Sequence, residues 1–422
     1  MKHLNCLIKK EISLFLLGIF LILFFSILFM VKGNQENFTI PSHQHNGKCF
    51  HYGIVNNIEN SGGLIKNKFG MLAANGSENK IYYTHHPALF TTALYIFIKI
   101  FGENFANLFP LLISLCIIAS IYFFIAKFIN PFVAFWSSFL IGIHPIFLQY
   151  SVFFNYEPLI LLLIIFVLIV ISRRATKNKF NNLMVVFLLI LSMLTDWPGY
   201  FLCLYSFLYY HLIKKKMKWN KFSFLLFFLP FIMFMMFLFH NRALTGAFNG
   251  GNLYRTFIGR ISNVGETDLY GALTKNVPEY KNYLEFLVWF KNVIIENFPA
   301  GFLVSSFLLA ILFIFGTLKI KKIIKKEIRI LLFGICFVGF SYTLIFNSFT
   351  YYHDYSLLHI IPFFTIATVL LTYLIANYLW DIFSDISKTE SAMFKNLFIN
   401  LIFNGFWLFY LFLSFRGHFF TL

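Results

Sequence analysis

Long apolar runs alternate with short polar stretches along most of this chain, and two of the polar stretches are far longer than the rest. The apolar runs fall at roughly 12–31, 105–126, 131–151, 158–172, 181–195, 199–213, 222–239, 298–318, 330–348, 357–380 and 397–415, and none contains a full charge. Lipid offers no partner for backbone N–H and C=O groups, so each run is expected to close its hydrogen bonds within itself as a helix. The pattern predicts an all-α polytopic membrane protein of about eleven transmembrane helices. The first run follows "MKHLNCLIKK" as a signal peptide would, but it is span-length and no small-residue cleavage site follows it, so it reads as an uncleaved helix.

The two long polar stretches, 32–104 and 240–297, predict large loops. Each carries an amphipathic segment, at 87–101 and 282–295, expected to lie along the membrane surface. This divides the chain into a transmembrane module at 1–239 that includes loop 32–104, a second loop at 240–297, and a closing set of helices at 298–422. Runs 181–195 and 199–213 are short, about 22 Å against a hydrocarbon core of about 30 Å. Their junction, "TDWPG", is therefore expected to be recessed, with Asp196 facing protein or a wet cavity.

Composition agrees: 59% hydrophobic and 12% charged residues exclude a soluble globular protein. The net charge of +17 points to topology rather than to nucleic acid. Loops on the N-terminal side hold 21 of the 34 Lys and Arg with only 5 acids, against 13 and 12 on the other. The positive-inside rule then puts the N-terminus in the cytoplasm and the C-terminus and both large loops outside. The five scattered cysteines suggest neither a disulfide nor a zinc site.

Polar residues collect at the exterior helix ends: His85 and His86, Asn155 and Glu157 of "FNYEP", Asp196 and Trp197, His240 to Arg242, and His353 and Asp354 of "YYHDY". Ionisable groups at membrane depth default to function. Each also has a plain structural reading. Glu157 ahead of Pro158 suits a helix N-terminus, Asp196 suits a helix cap, Trp197 packing, and Arg242 a snorkelling contact with headgroups. His144, His211 and His359 read as hydrogen-bonded packing residues.

The ordered set "YYTHHPAL", "NYEP", "TDWPGY" and "YYHDY" resembles the GT-C superfamily of polyprenyl-phosphate-sugar-dependent glycosyltransferases. Within it the set is similar to the family-39 branch of protein mannosyltransferases and lipid A aminoarabinose transferases, over roughly residues 50–365. The resemblance implies an integral membrane glycosyltransferase that moves a sugar, with inversion, from a lipid-phosphate donor to a glycan, lipid or protein acceptor at the exterior face. It implies a bacterial inner membrane setting, no obligatory cofactor with a divalent metal admissible, and no obligatory protein partner. Carried over by position, Glu157 matches a family carboxylate, His85 and His86 the positions near the donor phosphate, and His353–Asp354 the late motif. With Asp196 and Glu59 added from the exterior polar residues, Glu157, Asp196, Glu59 and Asp354 are the candidate catalytic carboxylates. With Arg242 added, His85, His86, Arg242 and His353 are the candidate phosphate ligands. His51, Asn155, Tyr156, Trp197 and Tyr352 are expected to line the substrate cavity. One feature departs from the family. Its members carry a general-base Asp in the first exterior loop, whereas residues 32–102 here contain no Asp, leaving His51, Glu59 or Glu157 for that role. A catalytically inactive homologue and a membrane transporter are the alternative readings. A transporter predicts internal repeats and broken helices meeting at mid-membrane, which the sequence does not display.

Overall fold

The computed structural model describes residues 11, 15, 17–22, 24, 44–75, 80–84, 86–151, 153–173, 179–214, 219–246, 261, 282–298, 300–315, 323–347, 350, 354–387 and 392–419. The first large loop is a folded layer. Helix α1 (Gln44–Asn60) lies against a two-stranded hairpin, β1 (Met71–Asn75) and β2 (Lys80–Tyr83), which leads into α2 (Leu89–Phe101). The strands run antiparallel with Met71 opposite Tyr83 and Leu72 opposite Tyr82, and the register shifts by a bulge before Ala74. Met71 and Leu72 join Ile54, Ile58 and Leu64 in a small core of their own, flanked by Tyr82, Tyr83 and Tyr95. The sequence predicts α2 but neither α1 nor the hairpin. Polar residues dilute the periodicity of α1, and strands of 5 and 4 residues are too short to establish an alternation.

The bundle follows the apolar runs. Its helices are α3 (Leu108–Phe128), α4 (Pro131–Gly142), α5 (Pro145–Tyr150), α6 (Glu157–Arg173), α7 (Lys179–Thr195), α8 (Pro198–Leu208) and α9 (Lys221–Thr245). After the second large loop come α10 (Tyr283–Asn297), α11 (Ala300–Phe315), α12 (Lys326–Ile345), α13 (Ile361–Ser387) and α14 (Ala392–Phe419). Helix α6 is buried around most of its circumference, as an all-round Leu and Ile sequence requires. It packs on α3, α7 and α12, while α13 bridges α4, α11 and α14.

Side chains fix several helix starts. Asn130 accepts from the Phe132 N–H with Pro131 in the first turn, and Asn220 and Ser223 form a reciprocal capping box. Three boundaries differ from those expected. The run 131–151 is broken at Ile143–His144, because Pro145 has no N–H to continue the ladder and restricts the residue before it. Helix α8 gives way to a wider turn at Tyr209–Lys214. Helix α9 runs to Thr245 and stops at Gly246, whose φ of 76° suits glycine, so His240, Asn241 and Arg242 are helical rather than in a loop.

Among the described residues four helices are long and apolar enough to cross a membrane: Glu103–Phe128, Lys221–Thr245, Lys326–Ile345 and Ser356–Ser387. The bent pair Tyr283–Asn297 with Phe302–Leu312 makes a fifth if it counts as one span. The chain is an integral membrane protein.

Candidate active site

The site forms where the segment after β2 meets the junction of α7 and α8. That junction is a tight reversal. The Asp196 N–H donates to Ser192 O at 3.1 Å, and Asp196 O accepts from the Gly199 N–H, also at 3.1 Å. Pro198 opens α8, and Gly199 lies so close to α7 that an added Cβ would sit 2.4 Å from the Ser192 carbonyl carbon. The turn seals the Asp196 side chain completely from solvent. Asp196 does not cap α8, which has no side-chain cap at its start. Its carboxylate is used elsewhere.

His86 reaches it from the first loop: the Nδ1–H donates to Asp196 Oδ1 at 2.7 Å, with the ring 3% exposed. A carboxylate offers no proton, so a neutral imidazole here carries its hydrogen on Nδ1 and its lone pair on Nε2. Tyr156 Oη lies 3.3 Å from that Nε2, and the two rings pack with centroids 4.7 Å apart. Tyr83 stacks on the His86 ring, 5.8 Å away and 9° from parallel. Tyr342, from α12, brings its hydroxyl to 3.5 Å from Asp196 Oδ2. The backbone ahead of His86 is anchored as well, since Asn241 of α9 donates its Nδ2 to Thr84 O at 3.2 Å.

His51 of α1 is buried behind this group. Its Nδ1 lies 3.2 Å from Thr91 Oγ1, and its ring faces Phe90 and Tyr156 at 5.0 and 5.8 Å. Burial, followed by repulsion from His86, pulls its pKa down to about 3, so the ring is neutral at ordinary pH. Glu157, the first residue of α6, is completely buried beside Tyr156. Asn155 turns its Oδ1 back to accept from the Tyr156 N–H at 2.9 Å, which orders the approach to α6.

Other expected residues are placed differently. Glu59 is exposed and held by Lys99 Nζ at 2.5 Å and by the Tyr95 hydroxyl at 2.7 Å. Those two donors keep its carboxyl below the usual range. Arg242 is exposed on the last turn of α9, and the neighbouring His240 donates Nε2–H to Lys68 O at 2.7 Å. Trp197 is half-buried, packed against Tyr200, Phe237 and Phe346. Asp354 opens a short 3-10 turn ending at His359. The expectations for His85, Tyr352, His353 and the Asp354 side chain lie outside the described residues.

Sequence reasoning missed Tyr342, a lone tyrosine in an apolar helix that reads as packing. It also misread His359, expected to be hydrogen-bonded: among the described residues both of its ring nitrogens lack a hydrogen-bond partner, and its ring meets Tyr342 edge-on at 5.5 Å. Among the described residues no three His, Cys, Asp or Glu side chains are grouped to share a metal ion. An apolar cavity of about 270 Å³ lies between α11, α13 and α14, lined by Phe302, Leu371, Ile375 and Trp407, with none of the His86–Asp196 group in its wall.

No family model matches this sequence, and no curated protein does. Solved structures do. ArnT from Cupriavidus metallidurans in the apo state superposes with a TM-score of 0.51 at 11% identity, covering 79% of this chain and 56% of that one. The same protein bound to undecaprenyl phosphate gives 0.50 at 11% identity, over 78% and 56%. The apo oligosaccharyltransferase of Archaeoglobus fulgidus gives 0.54 at 14% identity, over 94% and 54%. The chain thus spans about half the length of each structure it matches. At these identities the likeness is one of fold.

Proposed function

We propose that this integral membrane protein, which has the GT-C fold of the ArnT and oligosaccharyltransferase structures, is a glycosyltransferase. It takes a sugar from a polyprenyl-phosphate donor and passes it, with inversion, to an acceptor at the exterior face. Eleven spans, two exterior loops and a cytoplasmic N-terminus belong to the same reading. The observation that carries it is the His86–Asp196–Tyr156 group, a buried imidazole–carboxylate pair at one end of the bundle under a folded loop. The solved relative bound to undecaprenyl phosphate supports a lipid-linked donor. The apolar cavity at α11, α13 and α14 suits a hydrocarbon chain.

In this scheme the acceptor is held in line with the anomeric carbon, and most of the acceleration comes from that positioning together with proton removal. Charge developing on the departing lipid phosphate is met by His85, His353 and Arg242, which fall in or beside the loops expected to be exterior from the sequence. Glu157, buried at the start of α6, is the carboxylate nearest in sequence to Tyr156 and belongs to the acceptor side of the site. A divalent metal is not required by this scheme.

The test is transfer of radiolabelled sugar from synthetic polyprenyl-phosphate sugars to membrane extracts, comparing wild type with Glu157→Gln. Transfer by the wild type is expected, and a drop of about 10²-fold in the variant, which loses a carboxylate that holds the acceptor in place. An active variant makes Glu157 a helix-start residue only. Absence of transfer from every donor by folded wild-type protein rejects the glycosyltransferase.

A further inference from the structure

We propose that His86 is the proton acceptor of this reaction, reached through the hydroxyl of Tyr156, and that Asp196 is the positioning residue that prepares it; this rests on the glycosyl-transfer reading above. The three side chains are connected in order, Asp196 to His86 to Tyr156, and all three are buried. Asp196 is wholly buried, His86 is 3% exposed, and Tyr156 is 8% exposed. The carboxylate is sealed beneath the α7–α8 turn and engaged by His86 at 2.7 Å, with Tyr342 at 3.5 Å. The path from Asp196 toward Tyr156 runs through the imidazole. Nδ1 is committed to Asp196, which leaves the Nε2 lone pair aimed at Tyr156 Oη, 3.3 Å away. A carboxylate behind an imidazole in this way fixes its tautomer and stabilises the imidazolium that forms.

The step balances. As the acceptor oxygen or nitrogen attacks, its proton passes to Tyr156 Oη while the phenolic proton of Tyr156 passes to His86 Nε2. The acceptor's electron pair forms the bond to the anomeric carbon. The bond from that carbon to the lipid phosphate breaks, and its pair leaves with the phosphate. Tyr156 ends neutral, and the proton resides on His86 opposite the Asp196 carboxylate until it is lost to water. The groups around the pair are Tyr83 stacked on the ring, the neutral His51 behind it, and Tyr342, Tyr200 and His359 around Asp196.

The experiment measures transfer from synthetic polyprenyl-phosphate sugars against pH, for the full-length protein and three variants. His86→Gln is expected to lose about 10²- to 10⁴-fold and, with it, the acid limb of the profile. Asp196→Asn is expected to move that limb to lower pH, because the imidazolium has lost its counter-charge. A purely structural Asp196 would lower the rate and leave the limb in place, and that result overturns the relay. Tyr156→Phe removes a single oxygen and keeps the question open to decision if either polar variant fails to fold. It should lose at least about tenfold in kcat with an unchanged KM for the donor, and a rate equal to wild type overturns the proposal. Full activity in folded His86→Gln sinks the relay alone, whereas a wild type inert with every donor sinks the glycosyl-transfer reading and the relay with it.

Discussion

At Gly199 the α7 and α8 backbones come so close that even a methyl group has no room. The atoms it would strike are the backbone of Ser192 and Met193, which cannot rotate away. Gly199→Ala should therefore force the helices apart and lower stability by about 1–3 kcal/mol, measured as a fall in Tm in detergent. It should also loosen Asp196, which the same turn buries. Much of this was legible. The short runs on either side of "TDWPG" predict a recessed aspartate, and Asp196 is completely buried. Its partner was not legible, because 110 residues separate His86 from Asp196 and no spacing rule links them. The sequence marks His86 and Asp196 each as functional, but as a phosphate ligand and a catalytic carboxylate rather than as a pair. Glu59 is the converse case. It is an acid in the expected loop, but Lys99 and Tyr95 hold it at the exposed surface.

Among the elements, the layer built by α1, the hairpin and α2 is the one whose attachment matters most for the site. It is fastened to the last turns of α9 at three points: His240 to Lys68 O, Lys68 Nζ to Ala243 O, and Asn241 to Thr84 O. The Asn241 bond is buried and lies two residues from His86. Asn241→Ala should leave Thr84 O without this donor and cost about 1 kcal/mol. Hydrogen exchange should rise at residues 80–90 before it rises in α6 or α12, and a uniform rise across the bundle would contradict this docking. Apolar period announces helices well, and described helix lies at every predicted run. It announces poorly an element stabilised by docking, such as α1, or one of four or five residues, such as the strands. Helix ends shift for local reasons, as Pro145 and Gly246 show.

For the whole molecule, charge distribution carries the orientation. The polar loops opposite the His86–Asp196 end hold 21 of the 34 Lys and Arg, so that side is expected to face the cytoplasm. In intact cells, a cysteine introduced at Lys68 should react with a membrane-impermeant maleimide and one at Lys221 should not. The reverse pattern would invert the whole assignment. The fold class was thus readable from composition and period alone, and three of the four motifs, "YYTHHPAL", "NYEP" and "TDWPGY", supply His86, Tyr156 and Asp196 to one group. Its wiring was not readable, because it depends on contacts between distant segments. Those separations, 110 residues from His86 to Asp196 and 146 from Asp196 to Tyr342, impose an order on synthesis. The ribosome makes the loop bearing His86 well before the α7–α8 turn, and Tyr342 much later. A nascent chain stalled after α9 therefore holds a deep carboxylate with its imidazole but without its tyrosine. Maturation of the site is then a late event in biogenesis, completed only when α12 enters the bilayer.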